Sequence, residues 1–132
     1  MAEKAAILFV KPTEEILFKG NYNTTLTAYI ILRNQVDESV CFKIKTTASP
    51  FYCAQPNLGI VKARSYVVIE VQARPFKCTA MNFKDHLFLV QAIVMKKDDG
   101  DFIQAWQSIG NPAEIMNHRL SCRFEFTPIA ES

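Results

Sequence analysis

Glycine is scarce, with four in 132 residues. That is too few to supply a phosphate-cradling loop beside ordinary turns, and neither a P-loop nor G-x-G-x-x-G occurs. Only two histidines, His86 and His118, are present. Neither stands in H-E-x-x-H, and no G-x-S-x-G marks a nucleophile. Cys41, Cys53, Cys78 and Cys122 form no C-x-x-C pair, which speaks against a zinc knuckle or a redox dithiol and makes buried free thiols the expectation. Long apolar runs are missing too. Stretches such as 28–32 and 67–69 fall far short of the roughly 20 residues that span a bilayer. The first residues lack the basic start, apolar segment and cleavage site of a secretory leader, so the cytosol is the expected compartment. The glycosylation pattern Asn23-Thr24-Thr25 then carries no function.

Paired carboxylates are no more promising. Glu14 and Glu15 point opposite ways on a strand, and Asp98-Asp99 sits in a turn beside Gly100 with too few spaced oxygens for calcium. Both histidines read as surface residues beside charged neighbours. No enzyme, metal site or cofactor is therefore expected. The net charge of +2 is too small to point to nucleic acid. Locally the balance differs, because Lys43 to Lys97 contains nine basic residues and two acidic ones. That bias fits either a scattered solvated surface or one face that receives an acidic partner.

What the chain does have is apolar content, 49% hydrophobic and 11% aromatic against 21% charged, which suits a compact fold and one domain over residues 1–132. Strand-length apolar runs recur at 6–10, 15–18, 26–32, 40–46, 66–73, 86–95 and 120–126, separated by turn formers such as Lys19-Gly20-Asn21, Asn34 to Asp37 and Pro56-Asn57-Leu58-Gly59. Seven short strands of this spacing predict an all-β, immunoglobulin-like antiparallel sandwich. Two short helical segments are expected, Phe102 to Ser108 and Asn111 to Met116, with Asn111 as cap and Pro112 at the first helical position. Trp106 reads as a packing anchor beside the first of these, Gly59 as holding a backbone conformation that other residues resist, and Pro128 to Ser132 as a fraying end.

Strand parity separates core from surface. In 40–46, Val40, Phe42, Ile44 and Thr46 alternate with Cys41, Lys43 and Lys45, so the lysines point outward when the apolar set points in. In 86–95 both rows are apolar. If Phe88, Val90, Ala92 and Val94 face the core, Leu87 and Leu89 lie outside. Either a covering loop or a peptide-binding surface would account for them.

The run Val40-Cys41-Phe42-Lys43-Ile44-Lys45-Thr46-Thr47-Ala48, continued through Tyr52-Cys53 and Pro56-Asn57-Leu58-Gly59-Ile60, resembles the signature of the major sperm protein (MSP) domain and looks closest to the VAMP-associated proteins. The likeness extends to Pro75-Phe76, Phe88-x-Val90-Gln91, Trp106 and Met116-x-x-Arg119-Leu120-x-Cys122-x-Phe124-Glu125, essentially the whole chain. The resemblance implies an immunoglobulin-like seven-stranded sandwich without catalysis, which docks short peptides carrying two phenylalanines in an acidic tract, the FFAT motif. Members tether such proteins to the endoplasmic reticulum through a coiled coil and a C-terminal membrane helix, neither of which stands in these residues.

Carried onto this chain, the resemblance assigns Lys43 and Lys45 to the acidic flank, with Ile44, Thr46, Thr47 and Asn57 as backbone and side-chain contacts and Arg119 extending the basic rim. Parity turns Ile44 inward, so its contact would run through the backbone. The family's groove strand carries a lysine and a methionine two residues apart, and here those positions are Leu87 and Leu89. Leu89 keeps the apolar lining, whereas Leu87 removes a charge, which retunes the groove toward less acidic ligands or ends peptide binding. The rival expectation, after the sperm proteins that form filaments, is a structural domain that self-associates through sheet edges or the Leu87/Leu89 strip. A homodimer is left open.

Overall fold

A computed structural model describes residues 7–75, 85–96 and 100–127. Ala6, Phe76, Lys77, Cys78, Lys84, Lys97, the Asp98-Asp99 pair and Pro128 to Ser132 lie outside them. Among the described residues there are nine strands rather than seven: β1 (Leu8–Lys11), β2 (Glu15–Gly20), β3 (Leu26–Asn34), β4 (Val40–Thr46), β5 (Tyr52–Gln55), β6 (Leu58–Val61), β7 (Tyr66–Ala73), β8 (Leu87–Val94) and β9 (Met116–Phe126). One sheet runs β1-β3-β7-β5 and the other β2-β9-β8-β4-β6. The two-sheet, all-β architecture is as expected. The extra strands β5 and β6 flank Pro56-Asn57, and each has four residues, too few for a period-two signal to stand out in sequence. Pairing is antiparallel except between β2 and β9, which run parallel from Glu15↔Ser121 to Gly20↔Phe126.

The period-two alternation puts Ile16 and Phe18, Ile30 and Leu32, Val40 and Phe42, Ile69 and Val71, Phe88 and Val90, and Leu120 between the sheets, all fully buried. Aromatic rings lock one end of this core. Tyr52 meets Phe88 edge-on at 5.1 Å, and Phe18 stacks on Phe124 at 4.9 Å.

A second, smaller cluster lies on the outer face of the five-stranded sheet. Helix α1 (Phe102–Gln107) is capped by Asp101, whose carboxylate accepts the Gln104 N–H at 2.9 Å. It presses Ala105 onto Cys41 and Ile93, with Phe102 and Trp106 packed alongside. Cys41, assigned outward by parity, is therefore buried on the outer face. Trp106 is the packing anchor expected. Asn111 caps the next segment by accepting the Ala113 N–H at 3.0 Å, although Pro112–Glu114 is a single 3-10 turn.

Three further expectations change. Gly59 has no left-handed backbone; a side chain there would instead lie 3.1 Å from the Phe42 ring, its register partner. Cys53 is exposed, while Cys41 and Cys122 are buried free thiols. His86 is a buried residue, 7% exposed, rather than a surface histidine.

Candidate functional site

The outward side chains of β4, β8 and β9 meet in rows set by register. Lys45 stands opposite Leu89, and Leu89 opposite Arg119. An apolar side chain is thus bracketed by two cations on adjacent strands. One residue further, Thr46 pairs with Phe88. These residues, with Thr47 and Leu87, line a shallow groove of about 330 Å³. Neither Lys45 nor Arg119 has a carboxylate partner among the described residues.

The groove's closed end is built by Thr47. Its hydroxyl accepts the Leu87 N–H at 3.0 Å and donates to the Asp85 carbonyl at 3.0 Å, while its own N–H donates to Leu87 O at 3.0 Å. Thr46 Oγ1 accepts the Ala48 N–H at 3.2 Å. The Thr47 hydroxyl thus holds the β4 and β8 ends together, while that of Thr46 fixes the turn after β4. Beneath them, the Tyr52 hydroxyl shares a 2.7 Å hydrogen bond with His86 Nδ1, and the Phe51 ring stacks on His86. Burial lowers the His86 pKa against the opposing pull of Asp85, and burial pushes the Cys122 thiol up to about 11. These are features of a packed wall. A thiol shifted that way is inert as a nucleophile.

Ile44 and Asn57 do not face this groove. The Ile44 N–H donates to the Asn57 carbonyl at 2.7 Å on the β6 side of β4. Together they line an adjoining cleft of about 530 Å³ that shares Lys45 and Thr46 with the first and reaches β5. The β4–β6 ladder ends at Lys43↔Leu58. By strand alternation the Thr46 N–H points the same way as that of Ile44, past the end of β6. An extended chain laid there meets a strand edge on one side and the Leu89 groove on the other.

Lys43 is turned elsewhere. Its Nζ lies 4.2 Å from the Trp106 ring centroid and 6.0 Å from that of Phe102. A cation over an indole face is worth about 0.5–1 kcal/mol when exposed and about 2 when desolvated, against about 0–1 for an exposed ion pair. The ring therefore holds Lys43 at least as well as an exposed carboxylate would. Sequence reasoning missed this contact, since nothing in the spacing of Lys43 and Trp106 marks it. Leu87 and Leu89 are partly exposed and uncovered by α1, while Ile93 in the same row is sealed by it.

The sequence profile of the MSP (major sperm protein) domain matches residues 7–112. This chain belongs to that family. It is 37% identical over 125 residues to human vesicle-associated membrane protein-associated protein A, covering 95% of this chain and 50% of that protein. For human vesicle-associated membrane protein-associated protein B/C the figures are 34%, 95% and 51%. The chain thus spans about half the length of these relatives. Among solved structures, the MSP family member WR4 of C. elegans superposes with a TM-score of 0.66 at 15% identity, covering 90% of this chain and all of that one. The ASH/PapD-like domain 7 of human CEP192 gives 0.62 at 10% identity, covering 97% of this chain and 92% of that one. These two likenesses bear on the fold alone.

Proposed function

We propose that this MSP domain is a non-enzymatic adaptor that binds short extended peptides of the FFAT kind, two phenylalanines in an acidic tract, across the β4-β8-β9 face. The observation that carries the reading is the Lys45–Leu89–Arg119 row, which offers an apolar seat for an aromatic ring with cations on both sides. Leu87, Thr46 and Thr47 complete the wall, and the cleft by Asn57 and the Ile44 backbone continues it. Since Lys43 is engaged by Trp106, acid recognition falls mainly to Lys45 and Arg119. With a leucine at position 87, the groove demands less negative charge of its ligand than a lysine-bearing one. Similarity to the vesicle-associated membrane protein-associated proteins supports a role at the cytosolic face of the endoplasmic reticulum, with membrane attachment through a segment outside these residues. No helix among the described residues is long and apolar enough to cross a membrane.

Calorimetric titration with an acidic peptide carrying two phenylalanines tests this. The expected Kd is on the order of micromolar, about 8 kcal/mol. The same peptide with both phenylalanines replaced by alanine should not bind measurably. Equal affinity for the two peptides would remove the apolar seat from the mechanism.

A further inference from the structure

The groove face continues past β4 to β6, the edge of the five-stranded sheet. Gly59 lies against the Phe42 ring and Val61 is fully buried, so Leu58 and Ile60 alternate outward, 49% and 40% exposed. Sheet edges are commonly blunted with charged side chains. This one carries two aliphatic side chains and no charge.

Register fixes how the pair sits relative to the Leu89 seat. Leu58 stands opposite Lys43 on β4, and Lys45, two residues on, stands opposite Leu89 on β8. Leu58 is thus two strands and two residues from Leu89, roughly 12 Å at about 4.8 Å per strand and about 3.3 Å per residue. The midpoint of that diagonal falls on β4 between Lys43 and Lys45. Asn57, next to Leu58 in the chain, lines the cleft that adjoins the groove. The Lys43 ammonium is drawn to the Trp106 ring, and Leu58 stays open.

We propose that Leu58, backed by Ile60, is a second seat for the same peptide, taking an aliphatic side chain four residues from the ring held by Leu89, with an acid midway between them. This rests on the proposed peptide groove and extends it. Four residues of extended chain cover about 13 Å, which matches the diagonal, and the period of two returns the second and fourth side chains to the sheet. The second lands between Lys43 and Lys45, where a carboxylate is favoured. The fourth lands on Leu58.

Charge selects this occupant and its direction. Among the described residues, the carboxylates around this face lie off the diagonal. Glu15 and Glu125, on β2 and β9, stand beside Arg123, and Glu114 stands beside Lys96. Asp101 caps α1, and Asp85 precedes β8 at the groove's closed end. Asp37 and Glu38 precede β4 at its other end, Asp37 beside Arg64. An acidic flank directed toward β2 would meet Glu15 and Glu125, with Arg123 already paired. Directed toward β6, it meets two lysines and then apolar surface.

Calorimetric titration of the full chain tests the proposal, using acidic peptides with two adjacent phenylalanines. A leucine is placed three, four or five residues beyond the nearer phenylalanine, on either side of the pair, and compared with serine at the same place. At one position, four residues from the phenylalanine that Leu89 holds, leucine should bind 3- to 10-fold tighter than serine; at its neighbours the two should match. Leu58→Ser should abolish that gain and leave the affinity of the serine peptide within twofold, with circular dichroism confirming the fold. Serine peptides that bind while leucine gains nothing at any position overturn the second seat and leave the groove standing. A gain that survives Leu58→Ser also overturns it, by placing the leucine elsewhere. Failure of every peptide to bind overturns the groove, and the second seat with it.

Discussion

Asn34→Ala should destabilise the domain by about 2–4 kcal/mol and lower its melting temperature by on the order of 10 °C. Asn34 is 1% exposed at the end of β3. Its Nδ2 donates to the carbonyls of Glu38, Val61 and Lys62 at 2.8, 3.0 and 3.2 Å, and its Oδ1 accepts the Val36 N–H at 2.9 Å. One side chain thereby ties the β3–β4 connection to the end of β6. Alanine takes a donor from each of these carbonyls, of which that of Lys62 keeps the Ser65 N–H at 3.0 Å, and leaves the Val36 N–H without its acceptor. An unmet buried group costs about 1–3 kcal/mol where an ordinary hydrogen bond is worth about 1. Asn34→Asp keeps the acceptor but sets a carboxylate against three carbonyls, so it should be no better tolerated. Asn117, whose amide oxygen accepts from Gln91 at 3.0 Å on the exposed face, is the control; its alanine variant should cost well under 1 kcal/mol. Thermal and urea unfolding followed by circular dichroism make the comparison. A loss below about 1 kcal/mol at Asn34 would mean that the corner relaxes and satisfies its carbonyls otherwise.

That residue also shows where sequence reading stops. Asn34 to Asp37 reads as a turn from composition, and a turn does follow β3. Nothing in the string tells a turn asparagine on the surface from one sealed among carbonyls contributed from 27 and 28 positions away. Position 86 is alike: a histidine between an aspartate and a leucine looks solvent-facing until Phe51 and Tyr52 close over it. By contrast, the outward row of β4 was legible, because Lys43 and Lys45 alternate with buried Phe42 and half-buried Ile44 at a strand's natural period. The two apolar rows of β8 were legible as an anomaly. Its resolution is divided along the strand: α1 covers the Ile93 end, while Leu87 and Leu89 border the groove. A covering element and an open surface occupy the two halves of one row. The parallel β2–β9 pairing joins segments more than a hundred residues apart, beyond the reach of local pattern.

The largest functional effect is expected at Leu89. Leu89→Asp should weaken binding of the acidic two-phenylalanine peptide by roughly 10- to 100-fold. Seating an aromatic ring on a leucine draws on about 1.5–3 kcal/mol of apolar burial, each 1.4 kcal/mol being tenfold. The introduced carboxylate also lies between Lys45 and Arg119. It pairs with the two cations that would otherwise meet the peptide's acids, and for the same reason it costs the fold little. Leu89→Ala should give a smaller loss, about 3- to 10-fold, from lost contact alone. Lys45→Met, which keeps the stem and removes the charge, should cost about 2- to 5-fold and flatten the salt dependence, as expected of an exposed ion pair. Unchanged binding in Leu89→Asp with an intact fold would move the aromatic seat away from β8.

Amide chemical-shift mapping of the nitrogen-labelled chain, titrated with that peptide, tests the groove most directly. The expected result is a saturable set of shifts centred on Lys45, Thr46, Thr47, Leu87, Leu89 and Arg119, with the opposite sheet around Tyr29 and Val68 unmoved. Shifts centred on Tyr29 and Val68, or none that saturate, would contradict it.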